Sequence, residues 1–284
     1  MAINWYPGHM FKTKRDINDS LKLINVALEV RDARIPMSSS NIDLKNMLKN
    51  KKSIKRIIIL NKSDLADPEE TEKWIKRLKK EEDVLDVIPF VAINNSAVEQ
   101  LKQKLLKEKK GIATVKILIL GIPNIGKSTL INMMSGKKTL EVKNKAGVTK
   151  KLKWLRVDKD ISMLDTPGML WPKFEDESVG EKLGITGAIK EEILDEVELA
   201  YSFIKMCLEN PKDIELVCKK YDISSEELEK IKQTKNIPYT FLKMVALKKK
   251  ILMQGGDLDI SKTSKLILTQ YKAGKIGRIT LEKA

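Results

Sequence analysis

The chain contains little cysteine and almost no histidine, the residues on which many metal and redox sites depend. Its 284 residues include two cysteines and one histidine. The cysteines, Cys207 and Cys218, fit no metal-ligand spacing, so we expect both to be reduced thiols in the core. The sequence therefore gives no indication of a cysteine-based metal site.

Long apolar runs are also missing. No stretch approaches the roughly 18 residues that a membrane-spanning helix needs. Lys12, Lys14 and Arg15 interrupt the N-terminal segment too early for a signal-peptide core. Neither a Met-Gly start nor a terminal cysteine box marks a lipid anchor. We therefore expect a cytoplasmic protein that has no membrane partner. We also expect a monomer.

The chain has an excess of positive charge. Its formal net charge is +15, which favours a polyanionic partner such as a nucleic acid. A lysine-rich surface without such a partner is the alternative, and composition alone does not decide between the two. The hydrophobic fraction of 42% and the charged fraction of 33% suit a globular protein with more than one domain.

Buried-strand patterns alternate with helical patterns over residues 1–177. This alternation predicts a doubly wound, mostly parallel α/β sheet with helices on both faces. Beyond this region the strand patterns largely vanish, so residues 178–284 are predicted to form an all-helical domain. Strands are expected at 23–30, 57–60, 87–92, 115–120, 151–157 and 161–164. Helices are expected at 42–48, from Asp67 onward, and through Leu101 and Leu105.

A glycine-rich loop follows the predicted strand 115–120 and precedes a helix. The stretch from Gly121 to Thr129 matches G-x-x-x-x-G-K-[S/T], whose backbone N–H groups wrap the β-phosphate of a nucleotide. Lys127 is placed to reach the β- and γ-phosphates, and the Ser128 hydroxyl is placed to bind Mg²⁺. The nucleotide-binding residues predicted here are Asn124, Ile125, Gly126, Lys127, Ser128 and Thr129.

A second motif, N-K-x-D, follows the predicted strand 57–60. The Asp64 carboxylate can accept two hydrogen bonds from guanine that adenine cannot donate, and Lys62 can pack its stem along the base. After the next strand, Asn94 and Asn95 are placed to contact the guanine O6, although the usual Ser-Ala-Lys signature is absent. The predicted base-binding residues in the motif are Asn61, Lys62, Ser63 and Asp64.

An Asp-x-x-Gly motif lies about forty residues after the glycine-rich loop. Asp165 is expected to hold Mg²⁺, usually through water, and the Gly168 N–H to meet the γ-phosphate. Thr149, between the two motifs, can close over Mg²⁺ and the γ-phosphate as part of a switch loop. An ordinary loop threonine is the alternative.

The base-reading motif precedes the phosphate loop, the reverse of the order in an ordinary GTPase. With this order, the chain resembles the circularly permuted GTPases of ribosome assembly, and most closely the bacterial ribosome biogenesis GTPase A group. Further segments that carry the resemblance are Trp5-Tyr6-Pro7-Gly8-His9-Met10, Asp32-Ala33-Arg34-Ile35-Pro36, Leu170-Trp171-Pro172-Lys173-Phe174-Glu175-Asp176 and Thr186-Gly187-Ala188-Ile189-Lys190.

The resemblance implies a GTPase that acts late in maturation of the large ribosomal subunit, with a helical domain that contacts ribosomal RNA. It also implies that Asn124 holds a K⁺ ion and that the ribosomal particle stimulates hydrolysis. Met169 stands where many GTPases place a water-orienting glutamine, so hydrolysis by the isolated protein should be slow. His9 is a candidate catalytic residue, with a purely structural role as the alternative.

Two rival functions use the same motifs. One is a regulatory GTPase switch that binds protein effectors, and the other is an RNA-binding scaffold whose nucleotide site does not hydrolyse. The missing lipidation signals and the net charge argue against the first, and the intact site residues argue against the second. The candidate RNA-contacting residues are Lys243, Lys248, Lys249, Lys250, Lys262, Lys265, Lys272, Lys275 and Arg278.

Overall fold

The computed structural model describes residues 8–49, 51, 53–91, 95–136, 152–168, 176–189 and 195–284, without the side chains of 8–13, 44 and 95. The chain divides into two compact units. The first comprises Met1–Asp176 together with Glu282–Ala284, and the second comprises Glu177–Leu281. Within the described residues, no helix is long and apolar enough to cross a membrane.

The first unit contains a six-stranded sheet. Its strands are β1 (Val26–Asp32), β2 (Lys55–Asn61), β3 (Val84–Phe90), β4 (Val115–Leu120), β5 (Lys153–Arg156) and β6 (Ile161–Asp165). They lie in the order β3-β2-β1-β4-β6-β5, and only β5 runs antiparallel to its neighbour. This arrangement confirms the predicted doubly wound, mostly parallel α/β fold.

In the part of the chain that the structure describes, one helix of the first unit precedes β1, and the other four connect successive strands from β1 to β5. In chain order the helices are α1 (Gly8–Ser20), α2 (Ile42–Lys49), α3 (Pro68–Leu78), α4 (Asn95–Lys107) and α5 (Lys127–Ser135), with a short 3-10 turn at Leu21–Leu23. Asp67 caps α3 by accepting hydrogen bonds from the backbone N–H groups of Glu69 and Glu70, and Pro68 occupies the first turn. The predicted start of α3 is therefore confirmed.

Two predicted strand boundaries are wrong. The strand expected at 23–30 begins at Val26, because Leu21–Leu23 form the 3-10 turn, and it continues through Arg31 and Asp32. The charges of Arg31 and Asp32 led to a predicted strand end at residue 30, but all seven residues of the strand are buried. The strand expected at 87–92 lies instead at Val84–Phe90.

The second unit is helical throughout the part that the structure describes, apart from one isolated bridge between Leu252 and Leu258. Its core contains both thiols, and burial raises the pKa of Cys218 to about 11. The expectation of two reduced core cysteines is confirmed. The helices are α6 (Glu177–Ile185), α7 (Glu196–Leu208), α8 (Pro211–Tyr221), α9 (Ser225–Lys232), α10 (Ile237–Lys249) and α11 (Ile260–Lys272).

The last three residues of the chain group with the first unit, although the sequence had placed them in the helical region. The Glu282 carboxylate accepts hydrogen bonds from the backbone N–H groups of Met37 (2.6 Å) and Ser38 (3.0 Å) and from the Ser38 hydroxyl. The buried indole of Trp74 donates to the Glu282 carbonyl at 3.0 Å. These bonds fix the turn that follows β1.

Candidate nucleotide site

The phosphate loop connects β4 to α5, as its sequence requires. Gly126 caps the N-terminus of α5 with φ +100°, a left-handed conformation that glycine adopts without steric cost. The first turn of α5 begins with Lys127 and continues through Ser128 and Thr129. Unbonded N–H groups at a helix N-terminus favour an anion, so this loop can receive a phosphate group.

Lys127 is folded over the phosphate loop. Its Nζ donates to the carbonyl oxygens of Gly121 (3.0 Å) and Ile122 (2.9 Å), and the residue is 7% exposed. Burial lowers the pKa of Lys127 to about 8, although the charge of Asp165 opposes the shift. The ammonium group is therefore held at the loop, beside the carboxylate at the end of β6.

The predicted guanine loop, Asn61–Asp64, begins at the carboxyl end of β2 and contacts the phosphate loop directly. The side-chain Nδ2 of Asn61 donates to the carbonyl oxygen of Ile125 at 2.7 Å. A Cβ on Gly126 would lie 2.2 Å from the same Nδ2, so any larger residue there would displace Asn61. Two loops separated by about sixty residues in sequence thus meet through one amide group.

The remaining residues of the guanine loop are anchored on other strands. Lys62 has φ +58°, and its Nζ donates to the Asp32 carboxylate at 3.0 Å. The backbone N–H and the hydroxyl of Ser63 both donate to the Phe90 carbonyl, at 3.2 and 3.1 Å. Asp64 is exposed, so its carboxylate is accessible for the contact with a base that the sequence predicts.

The Asp-x-x-Gly segment, Asp165–Gly168, also packs against the phosphate loop. Asp165 is fully buried at the end of β6, and Thr166 donates to the Ile119 carbonyl at 2.7 Å. A Cβ on Gly168 would lie 2.7 Å from the Cα of Pro123, so only glycine allows this approach. The structure therefore brings Asn61, Lys127 and Asp165 to one edge of the sheet, the edge where open α/β sheets bind ligands.

Comparisons with known proteins agree with this geometry. Residues 32–175 match the family described as RsgA GTPase, and residues 116–248 match the family described as 50S ribosome-binding GTPase. The chain is 40% identical to the ribosome biogenesis GTPase A of Bacillus licheniformis over 100% of its own length and 99% of that protein. The chain belongs to the ribosome biogenesis GTPase A family. It is accordingly an enzyme that hydrolyses GTP, with a circularly permuted G domain.

Other members of the family show the same likeness. The ribosome biogenesis GTPase A of Thermotoga maritima is 31% identical to this GTPase over 99% of the chain and 94% of that protein. The crystal structure of GNP-bound YlqF from Thermotoga maritima superposes with a TM-score of 0.62 at 29% identity. That match covers 96% of this GTPase and 98% of the YlqF chain.

Several predicted site residues lie outside the part of the GTPase that the structure describes. Thr149, Asn94 and Met169 are among them. Asn95 begins α4 and His9 lies in α1, but the side chains of both are outside the described residues. Their predicted roles in base binding and catalysis stay predictions.

The sequence motifs predicted no role for the charged groups of β1. Asp32, whose motif had served only as a mark of resemblance, contacts the guanine loop through Lys62. Glu29 lies buried between Arg31 and Arg56 on the same strand pair. The signal that could have revealed them is the presence of three charges in a strand that is otherwise apolar, because buried charges occur where they have partners.

Proposed function

We propose that this GTPase acts in assembly of the ribosome, at the large subunit and late in its maturation. The curated relatives are named for ribosome biogenesis, and one matching family is described as 50S ribosome-binding. The hydrogen bond from Asn61 to Ile125 carries the nucleotide part of the proposal, because it joins a guanine-reading loop to a phosphate loop in one site. We further propose that the protein works as a monomer in the cytoplasm.

Mg²⁺ is the metal that the donors of this site fit. Ser128 and Asp165 supply a hydroxyl and a carboxylate oxygen, the hard donors that Mg²⁺ prefers, and Asp165 lies close enough to Lys127 to affect its pKa. Thr149 is proposed as the third protein donor. Bound there, the ion would neutralise phosphate charge during transfer. Asn124, with φ +54° in the loop, is proposed to hold a K⁺ ion beside the same phosphates.

Hydrolysis by the isolated protein is proposed to be slow and to be stimulated by the ribosomal particle. Met169 cannot orient a water molecule by hydrogen bonding. We therefore expect a rate within a few tens-fold of the roughly 10⁻⁴ s⁻¹ of an unassisted small GTPase. His9 is proposed to assist the water once the particle is bound, so His9→Ala should lower stimulated turnover and leave GTP affinity unchanged.

The helical unit is proposed to contact ribosomal RNA. Three lysines, Lys220, Lys249 and Lys262, line a groove of about 380 Å³ together with Ile251 and Leu266. Lys249 also pairs with Asp222 at 2.7 Å, whereas α8 and α11 bring Lys220 and Lys262 to the groove. Contacts between lysine and phosphate release counterions, so this binding should weaken steeply as salt rises.

Co-sedimentation with purified ribosomal subunits tests the proposal. The protein loaded with a GTP analogue should sediment with the large subunit, should sediment less with GDP, and should be released by salt. A switch for protein effectors would sediment with neither subunit. A scaffold without hydrolysis would sediment equally well with both nucleotides, and either result would contradict the proposed function.

A further inference from the structure

Asp32 is a buried carboxylate that contacts the guanine loop. It ends β1 opposite Asn61, and the N–H of the next residue, Ala33, donates to the Asn61 carbonyl at 2.8 Å. Asp32 is 1% exposed, although a carboxylate at the end of a strand could ordinarily face water. Neither the phosphate loop nor the base-reading motif includes this residue.

The Asp32 carboxylate is fully engaged by two cations. One oxygen accepts from the backbone N–H of Arg34 (3.0 Å) and from its Nε (2.9 Å). The other accepts from the Arg34 Nη2 (2.8 Å) and from the Lys62 Nζ (3.0 Å). Burial alone would raise the pKa of Asp32, but Arg34 and Lys62 outweigh it and hold that pKa well below its usual range. The group therefore stays ionised at any physiological pH.

The ion pair with Asp32 fixes the position of the Lys62 side chain. Its neighbours have neutral anchors, Asn61 on Ile125 and Ser63 on Phe90, whereas Lys62 is held through its charge by Asp32. A lysine side chain has four rotatable bonds and loses much conformational entropy when one geometry is imposed. An ion pair formed before the nucleotide arrives removes that cost from the binding step.

We propose that Asp32 is a positioning residue for guanine recognition. Its buried carboxylate holds the ammonium group of Lys62 at the end of β1, so that the aliphatic stem of Lys62 is already in place when a guanine enters. The inference rests on the proposed assignment of Asn61–Asp64 as the guanine loop. Asp32 acts through Lys62 and touches no nucleotide itself.

A double-mutant cycle on the full chain tests the inference, with GDP affinity measured by calorimetry. Asp32→Asn and Lys62→Gln should each weaken binding roughly 10-fold. The double variant should bind no more weakly than Lys62→Gln alone, because Asp32 has no effect once Lys62 is gone. Losses that multiply in the double variant, or an Asp32→Asn protein with unchanged affinity, would overturn the inference. A Lys62→Gln protein with unchanged affinity would also overturn the inference, whereas an Asp64→Asn protein with unchanged affinity would overturn the guanine-loop assignment.

Glu29→Gln is the matched control. Glu29 is a buried carboxylate on the same strand that also pairs with arginine, but it makes no bond to the guanine loop. Its substitution should lower stability and leave the GDP affinity of the folded protein unchanged. If Asp32→Asn does not fold, NMR of ¹⁵N-lysine in the nucleotide-free wild-type chain decides the question. A resolved, slowly exchanging Lys62 ammonium signal supports the ion pair, and a solvent-averaged signal contradicts it.

Discussion

At the scale of single residues, the lowered pKa of Lys127 makes the predicted phosphate site sensitive to pH, because the ammonium charge expected to bind phosphate is disfavoured by burial. Burial lowers its pKa to about 8 in the protein without nucleotide. Between this value and the ordinary 10.5, the folded protein binds fewer protons than the unfolded chain. The group therefore adds stability as pH rises through that window, while the site loses its phosphate-binding charge.

We expect GDP affinity to be constant below about pH 8 and then to fall roughly tenfold per pH unit. Calorimetry between pH 6.5 and 9.5 measures this profile. Lys127→Arg is the control, since a guanidinium stays charged throughout and should remove the break in the profile. A wild-type profile that stays flat to the alkaline end would show that the ammonium keeps its charge despite burial.

Asp64 is the residue expected to decide which base is bound. Asp64→Asn should weaken GDP binding at least tenfold, because charged hydrogen bonds worth about 1.5–3 kcal/mol are lost. The Asp64→Asn variant should at the same time favour xanthosine diphosphate, because the oxygen at position 2 of its base can accept a hydrogen bond from an amide N–H. Competition between the two nucleotides measures the change, with the exposed α3 substitution Glu72→Gln as control. Unaltered preference in Asp64→Asn would remove Asp64 from base recognition.

At the scale of elements, β1 and β2 carry a buried ionic network through the sheet. The Glu29 carboxylate accepts from Arg31 at 2.7 and 3.0 Å and also from Arg56, which in turn pairs with Asp83 at 2.9 Å. Burial alone would raise the pKa of Glu29, but the two arginines lower it to about 2. A carboxylate with a lowered pKa stabilises the fold above its ordinary value of 4.5, and that contribution is lost as pH falls toward 2.

Glu29→Gln should cost about 3–5 kcal/mol at pH 7, because buried Arg31 loses its carboxylate partner and buried Arg56 loses one of its three. The difference between wild type and variant should shrink below pH 4.5, where Glu29 of the unfolded wild-type chain begins to be protonated while the folded protein still holds its carboxylate ionised. Urea unfolding at pH 7 and pH 3 measures both values. Asp43→Asn, which breaks the surface pair with Lys14, is the control and should cost less than about 1 kcal/mol. Equal costs for the two variants would contradict the role given to the network.

The contact between the Asp-x-x-Gly segment and the phosphate loop predicts how a substitution at Gly168 changes nucleotide affinity. In Gly168→Ala the new methyl group would meet the backbone of Pro123, which cannot move without shifting the loop. We expect affinity for a GTP analogue to fall roughly tenfold and affinity for GDP to fall less, since only the γ-phosphate is proposed to meet Gly168. Gly136→Ala, at a left-handed position with open space around it, is the matched control. Equal losses for both nucleotides would count against a γ-phosphate contact.

Local signals in the sequence predicted most of the fold. The strand at Val115–Leu120 and the helix that begins at Pro68 are where the pattern places them, because an apolar run and a capping Asp67 act over a few residues. The end of β1 was mispredicted because Arg31 and Asp32 resemble a strand terminus. Their burial depends on partners such as Lys62, thirty residues away, which no local pattern reveals.

For the candidate site, the sequence predicted the motifs but not the contacts between them. The motifs predict which residues bind the nucleotide, and in the structure each described motif follows a strand at the same edge of the sheet. They give no indication that Asn61 bonds to Ile125 or that Lys127 folds onto Gly121 and Ile122. The Asn61 contact depends on the sheet order, in which β1 lies between the strands that carry the two loops, whereas the Lys127 contacts depend on how the phosphate loop itself folds.

At the scale of the whole molecule, the net charge of +15 is shared by two units with separate cores. If the helical unit binds ribosomal RNA, neutralising Lys220 and Lys262 should weaken subunit binding several-fold and reduce its salt slope by about two. Co-sedimentation of the double variant Lys220→Gln/Lys262→Gln with the large subunit measures this change. The control is the double variant Lys102→Gln/Lys107→Gln, on α4 of the first unit, which alters the net charge equally and should bind the subunit normally. Equal weakening in both pairs would indicate a general charge effect.

The return of Glu282–Ala284 to the first unit makes the helical unit an insertion rather than an appendage. A nucleotide-binding fragment obtained by stopping translation after Asp176 would lose the carboxylate that fixes Met37 and Ser38, and the partner of the Trp74 indole. A fragment that keeps these contacts needs a linker in place of Glu177–Leu281, with Glu282–Ala284 retained.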